Sequence, residues 1–269
     1  MEKEFYKNLI SRLPIGLAMA VVIILLIFLQ NKDLINIILF LLSYSLGFEW
    51  IYKASKNKIL LNILLLSILV SIHFIDADVL KILIIISTIF WLICPILLLP
   101  SIRTFTSSFH LPFVFLALVG FLSSGVYMME YFEYDLIDNF FFMFILILIT
   151  ALIDVGAYFF GNFFGKTKLV PKISPNKSLE GLIGGILLAS ISLTIMLYLD
   201  LINPSIALVM VIAMPFAFVG DIFESFLKRS KSMKDTGSLL RGHGGIFDRL
   251  DSHLAVFPIA TILLIYLII

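Results

Sequence analysis

Long apolar runs separated by short polar connections constrain this chain more than anything else in it. They lie near 13–30, 34–52, 59–75, 79–99, 112–129, 139–164, 182–199, 204–227 and 253–269. Each has roughly the 17–25 residues that an α-helix needs to cross the hydrocarbon core of a bilayer. The fifth run carries Gly and Ser, which suit close helix packing. At 61% hydrophobic and 14% charged, the chain departs from a soluble domain, which is about half apolar and about a quarter charged. The expected fold is therefore all-α, a polytopic integral membrane protein of about nine transmembrane helices. Residues 1–12, MEKEFYKNLISR, read as an uncleaved leader, because no small-residue cleavage site clearly follows the first run.

Charge sets the orientation. With a cytoplasmic N-terminus and strict alternation, 17 of the 19 Lys and Arg residues fall inside, and only Lys32 and Lys81 fall outside. This satisfies the positive-inside rule and puts the C-terminus outside. The expected location is the cell (inner) membrane, with the charged loops facing the cytoplasm. A net charge of +1 says nothing about partners, and no nucleic acid is expected. The single cysteine, Cys94, excludes an intramolecular disulfide. The chain divides into N-terminal membrane helices, 1–135, and a C-terminal catalytic membrane region, 136–269, with cytoplasmic loops 165–181 and 226–252.

Residues 221–251 break the apolar pattern. They hold five carboxylates, six Lys or Arg, one His and four Gly. Asp221, Glu224, Ser225 and Lys228 fall at i, i+3, i+4 and i+7, so they share one helical face. The segment closes with Gly244, Gly245, Asp248, Arg249 and Asp251. Glycines let backbone N–H groups approach an anion, carboxylates hold a divalent cation, and Lys and Arg hold phosphate oxygens. The grouping describes a site for a metal-bound polyphosphate. The competing reading is a solvated loop whose charges only fix topology.

Two acids lie within apolar runs. Glu49, beside Trp50 and Tyr52, reads as reaching the headgroup region within an interfacial aromatic belt. Asp154 lies ten residues before the inner end of its run, roughly 15 Å deep. Tyr158, Gly161 and Gly165 follow it on the same helical face. A carboxylate that deep needs a polar cavity or a partner. The sixth and eighth runs are therefore expected to line one polar cleft, open to the cytoplasm and sideways to lipid. The loop between the sixth and seventh runs carries Lys166, Lys168, Lys172 and Lys177, with Pro171 and Pro175 breaking helix. Ser178 sits where the seventh run begins, so a helix N-terminus there can face an anion.

The run Ser225, Lys228, Arg229, Lys234, Asp235, His243, Gly244, Gly245, Asp248, Arg249 and Asp251 resembles the signature of the phosphatidate cytidylyltransferase (CDP-diacylglycerol synthase) family. Asp154, Tyr158, Gly161, Lys166, Lys168, Pro171, Pro175, Lys177, Ser178 and Glu180 resemble its second motif region. The chain departs at Arg241, where the family usually has Pro or Gly, and this bears on loop shape and substrate preference. The resemblance implies CTP and phosphatidate as substrates and Mg2+ as cofactor, with room for a second metal ion. A homodimer is compatible with it. A phosphate oxygen of phosphatidate would attack the α-phosphorus of CTP and expel pyrophosphate. That oxygen is already ionised near neutral pH, since a phosphomonoester's second pKa is about 6, so no strong base is required.

On this reading Asp221, Lys228, Asp248 and His243 carry the chemistry. Asp221 and Asp248 ligate metal, joined by Glu224 and Asp251. Lys166, Lys168, Lys177, Ser178, Ser225, Arg229, Lys234, Gly244, Gly245 and Arg249 bind substrate, and Asp154 and Tyr158 support the site. Two alternatives stay open. One is a sibling CTP-dependent enzyme, either a polyprenol kinase or a cytidylyltransferase for archaeal lipids. The other is a transporter with an ion path through Asp154, Glu49 and Asp221, although no internal repeat supports it.

Overall fold

The computed structural model describes residues 20–100, 103–132, 137–233, 236 and 245–267. Among these are ten helices: α1 (Ala20–Leu29), α2 (Lys32–Ala54), α3 (Lys58–Ile72), α4 (Ala77–Leu97), α5 (Arg103–Ser108), α6 (His110–Glu130), α7 (Asn139–Phe164), α8 (Leu179–Tyr198), α9 (Pro204–Ser230) and α10 (Phe247–Leu267). Seven of them, α2, α4 and α6–α10, are long and apolar enough to cross a membrane.

The expectation of about nine spans is met only in part. The run at 59–75 yields the 15-residue α3, about 22 Å long against a core of about 30 Å. It stops early because Asp76 starts the next helix, accepting hydrogen bonds from the Asp78 and Val79 amides. Most connections follow the same logic. Asn31, Asp138, Ser178 and Asn203 each accept from an amide in the first turn of the following helix. Pro204, in the first turn of α9, adds a pre-set φ.

α6 and α10 are the most enclosed helices, with α2, α4 and α9 around them. Lipid tails are as apolar as leucine, so burial here gains close contact rather than release from water. Aromatic rings make many of those contacts. Phe223 of α9 packs edge-on against Phe90 and Trp91 of α4, with both centroids at 5.5 Å. Phe121 of α6 meets Phe257 of α10 at 4.7 Å.

α7 and α8 meet differently, backbone against backbone. A Cβ added at Gly156 would lie 2.8 Å from Gly185 Cα, and one at Gly181 would lie 2.9 Å from Ala157 O. Gly161 faces Gly181 and Ser178 in the same seam. Gly161 and Gly165 were expected to line a cleft shared with α9. The structure sets both beside the start of α8, and at Gly165 an added Cβ would lie 2.7 Å from Ser178 Oγ.

The all-α expectation holds for the membrane helices, with one short addition between α7 and α8: β1 (Lys168–Val170) and β2 (Ser174–Ser178) form an antiparallel hairpin, pairing Lys168 with Ser178 and Val170 with Ser174. Pro171 and Pro175 forbid a helix there, and the Leu179 amide donates to Thr167 O just beyond the ladder. The last helix was expected from 253 but begins at Phe247. Asp248 and Asp251 therefore stand on its first turns rather than in a loop.

Candidate active site

The charged face expected on α9 forms as read. Asp221, Glu224, Ser225 and Lys228 occupy the last turns of a 27-residue helix. α10 comes alongside because Gly220 has no side chain; an added Cβ would strike Asp251 O. That approach brings ligand oxygens of Asp221, Glu224 and Asp251 within 4.8 Å of one another. Glu224 and Asp251 are buried, and Asp221 is partly open.

Two lysines border this group. Lys228 Nζ lies 2.6 Å from Glu224 Oε2 and 2.7 Å from Asp248 Oδ1. Lys177 reaches in from β2 and pairs with Asp221 Oδ1 at 2.6 Å. On α7, Asp154 accepts a hydrogen bond from Ser252 Oγ of α10 at 3.1 Å. Asp154, Asp221, Glu224, Asp248 and Asp251 thus gather around Lys177 and Lys228. Glu224 Oε1 is buried with no hydrogen-bond partner among the described residues. Buried carboxylates at low dielectric are neutralised either by a proton or by a cation. Three convergent carboxylates are the donor set that suits a hard divalent ion such as Mg2+.

Asp248 stands apart from the three-carboxylate group. Besides Lys228, it accepts from the Thr236 amide and hydroxyl, at 3.1 and 3.0 Å, and from the Gly245 amide at 2.7 Å. Its carboxylate organises the entry to α10 and holds Lys228 in place. Other expected residues also have local partners. Ser178 Oγ accepts from the Gly181 amide and is buried. Arg229 donates to Ile173 O and Met233 O, tying the hairpin to the end of α9. Lys166 and Lys168 are exposed beside the site, and their loop is held by Glu180, which accepts from the Lys166 and Thr167 amides. Ser225 is buried, Arg249 is half-buried, and Tyr158 lies one turn beyond Asp154. Lys234, His243 and Gly244 lie outside the described residues.

Ser252 and Thr236 were not foreseen, since a lone Ser or Thr carries no signal of its own. Glu49 was misplaced. It is buried, and its two oxygens accept from the Ile246 and Phe247 amides at 3.1 and 3.2 Å. The apolar run around it hid a partner 197 residues away.

A family model described as the Cytidylyltransferase family matches residues 10–267 of the chain. The phosphatidate cytidylyltransferase of Staphylococcus haemolyticus (strain JCSC1435) is 47% identical over 121 residues, 44% of this chain and 46% of that protein. Those of Staphylococcus saprophyticus subsp. saprophyticus and Staphylococcus aureus (strain COL) are 45% and 46% identical over 122 and 121 residues, with the same shares. The chain thus spans about half the length of the curated relatives it matches.

Proposed function

The chain belongs to the cytidylyltransferase family, and from that premise we propose that it transfers CMP from CTP to phosphatidate, giving CDP-diacylglycerol and pyrophosphate. The reading rests on one observation: three carboxylates from two helices converge within 4.8 Å, with Lys177 paired to Asp221 and Lys228 to Glu224 at their border. Such a site attracts a cation, and a cation there attracts a polyphosphate.

The reaction forms a bond between a phosphatidate oxygen and the α-phosphorus of CTP and breaks the bond from that phosphorus to the bridging oxygen. The electron pair leaves on pyrophosphate. No proton need be removed from the nucleophile, so the protein's task is alignment and charge neutralisation. Asp221, Glu224 and Asp251 would hold Mg2+, which when bound supplies positive charge to the triphosphate. Asp221 is the more open partner, and Lys177, buried behind it at 2.6 Å, adds positive charge to this side of the site. Lys228, fixed between Glu224 and Asp248, keeps the buried acids from repelling one another. Asp154, anchored by Ser252, forms the deeper wall beneath Lys177. Lys166, Lys168 and Lys172 give the mouth a positive field.

The lipid phosphate would enter from the bilayer and CTP from the cytoplasm. The basic-residue asymmetry supports an inner-membrane location with this mouth inside. The catalytic region is then 136–269, with α2 contributing from the N-terminal half. The test is purified protein in detergent with labelled CTP, Mg2+ and phosphatidate, resolving lipid-linked CMP, pyrophosphate and CDP. Lipid-linked CMP with equimolar pyrophosphate is expected. Release of CDP with a phosphorylated lipid would refute nucleotidyl transfer.

A further inference from the structure

Glu49 lies on α2, far in sequence from both charged segments, and yet it terminates the helix that carries Asp248 and Asp251. Each of its carboxylate oxygens takes one amide, Ile246 at 3.1 Å and Phe247 at 3.2 Å. The neighbouring residue, Trp50, packs on the Phe247 ring with centroids 5.9 Å apart. Trp50 is itself fixed, donating Nε1 to His110 Nδ1 on α6 at 3.1 Å. Consecutive residues of α2 therefore hold Phe247 by its backbone and by its ring.

The first amides of a helix have no partner within it, and its N-terminal end is electropositive, so a carboxylate there is favoured. A residue of the preceding loop usually fills this place. Here the cap comes from another helix, and this has a geometric consequence. Two bonds from one rigid carboxylate to successive amides fix both the height and the rotation of α10. Asp251 lies one turn further along.

We propose that Glu49 is a positioning residue for the carboxylate cluster: by holding the start of α10, it sets where Asp251 meets Asp221 and Glu224. This rests on reading that cluster as the cation site of cytidylyl transfer. Glu49 does not touch substrate or cation. It acts through α10, as an outer partner orients a ligand in a metal site.

The test compares wild type with Glu49→Gln, which keeps the shape and one acceptor oxygen but opposes the second amide with an NH2 group. Mg2+ binding is titrated calorimetrically in the absence of CTP, and amide exchange is followed over residues 245–251. Glu49→Gln should weaken Mg2+ binding about tenfold or more, the usual effect of losing an outer partner. Exchange should quicken over 245–251 and stay unchanged in α7 and α8. In wild-type protein, saturating Mg2+ should slow exchange at Ile246 and Phe247, a readout that needs no variant. Mg2+ affinity within about twofold of wild type, with unchanged exchange, would overturn the proposal. So would wild-type amides at 246 and 247 that do not respond to Mg2+. Failure of wild type to form CDP-diacylglycerol would instead overturn the assigned reaction, and the binding and exchange data would still judge Glu49.

Discussion

Lys228→Met tests whether the buried charges are held as the structure shows. Lys228 joins two carboxylates at 2.6 and 2.7 Å, and the side chains of Lys228, Glu224 and Asp248 are only 12%, 2% and 11% exposed. Methionine fills nearly the same volume without charge, so the packing change is small. What remains is two acids facing each other with their shared cation gone. Removing one member of a buried pair costs about 3–5 kcal/mol, because the other charge is left uncompensated. At 1.36 kcal/mol per factor of ten, that is roughly two to four orders of magnitude in the folding equilibrium. The assay is reversible unfolding in mixed micelles by increasing dodecyl sulfate, with EDTA present, followed by circular dichroism. The same substitution is then made in a Glu224→Gln, Asp248→Asn background. There Lys228→Met should cost much less, since no buried carboxylates are stranded. A loss under about 1 kcal/mol in the single variant, or an equal loss in both backgrounds, would refute the buried triad.

Asp251→Asn should abolish Mg2+ binding and turnover while the protein stays monodisperse in detergent; retained Mg2+ affinity by calorimetry would remove Asp251 from the ligand set. Gly220→Ala should force α9 and α10 apart at Asp251, costing about 1–3 kcal/mol by dodecyl sulfate unfolding and lowering Mg2+ affinity together. A cysteine at the exposed Lys172 should react with an impermeant thiol reagent only from the cytoplasmic side, and one at Asp78 only from outside. Cys94 is fully buried and should stay silent in both.

What was legible in the sequence was local. The α9 face of Asp221, Glu224, Ser225 and Lys228 follows from helical spacing alone, and the structure keeps it. Ser178, read where the seventh run begins, caps α8. What depends on the approach of distant segments was not legible. Asp251 joins Asp221 only because Gly220 lets two backbones touch, and a glycine in an apolar run gives no sign of what it faces. α10 was read as starting late because its first turns are charged. Acids are favoured there by the electropositive helix N-terminus, whose first amides Glu49 satisfies from another span. The hairpin was taken for a turn because its prolines and lysines mask two short strands. Asp248, read as a metal ligand, accepts from four donors, and the partners Thr236 and Gly245 carry no signal of that in the sequence.

The α7–α8 seam bears on how this chain can vary over time. Gly156, Gly181 and Gly185 lie against backbone atoms of the facing helix, not against side chains that could shrink in compensation. Glycine is the smallest residue, so any substitution there adds atoms, and no second substitution opposite can take them away. A leucine core can drift through paired exchanges of large for small; this seam has no such neutral route. Variation in these two helices is freest on their exposed sides, where Phe163, Ile183, Leu187 and Ile191 can give way to other apolar residues.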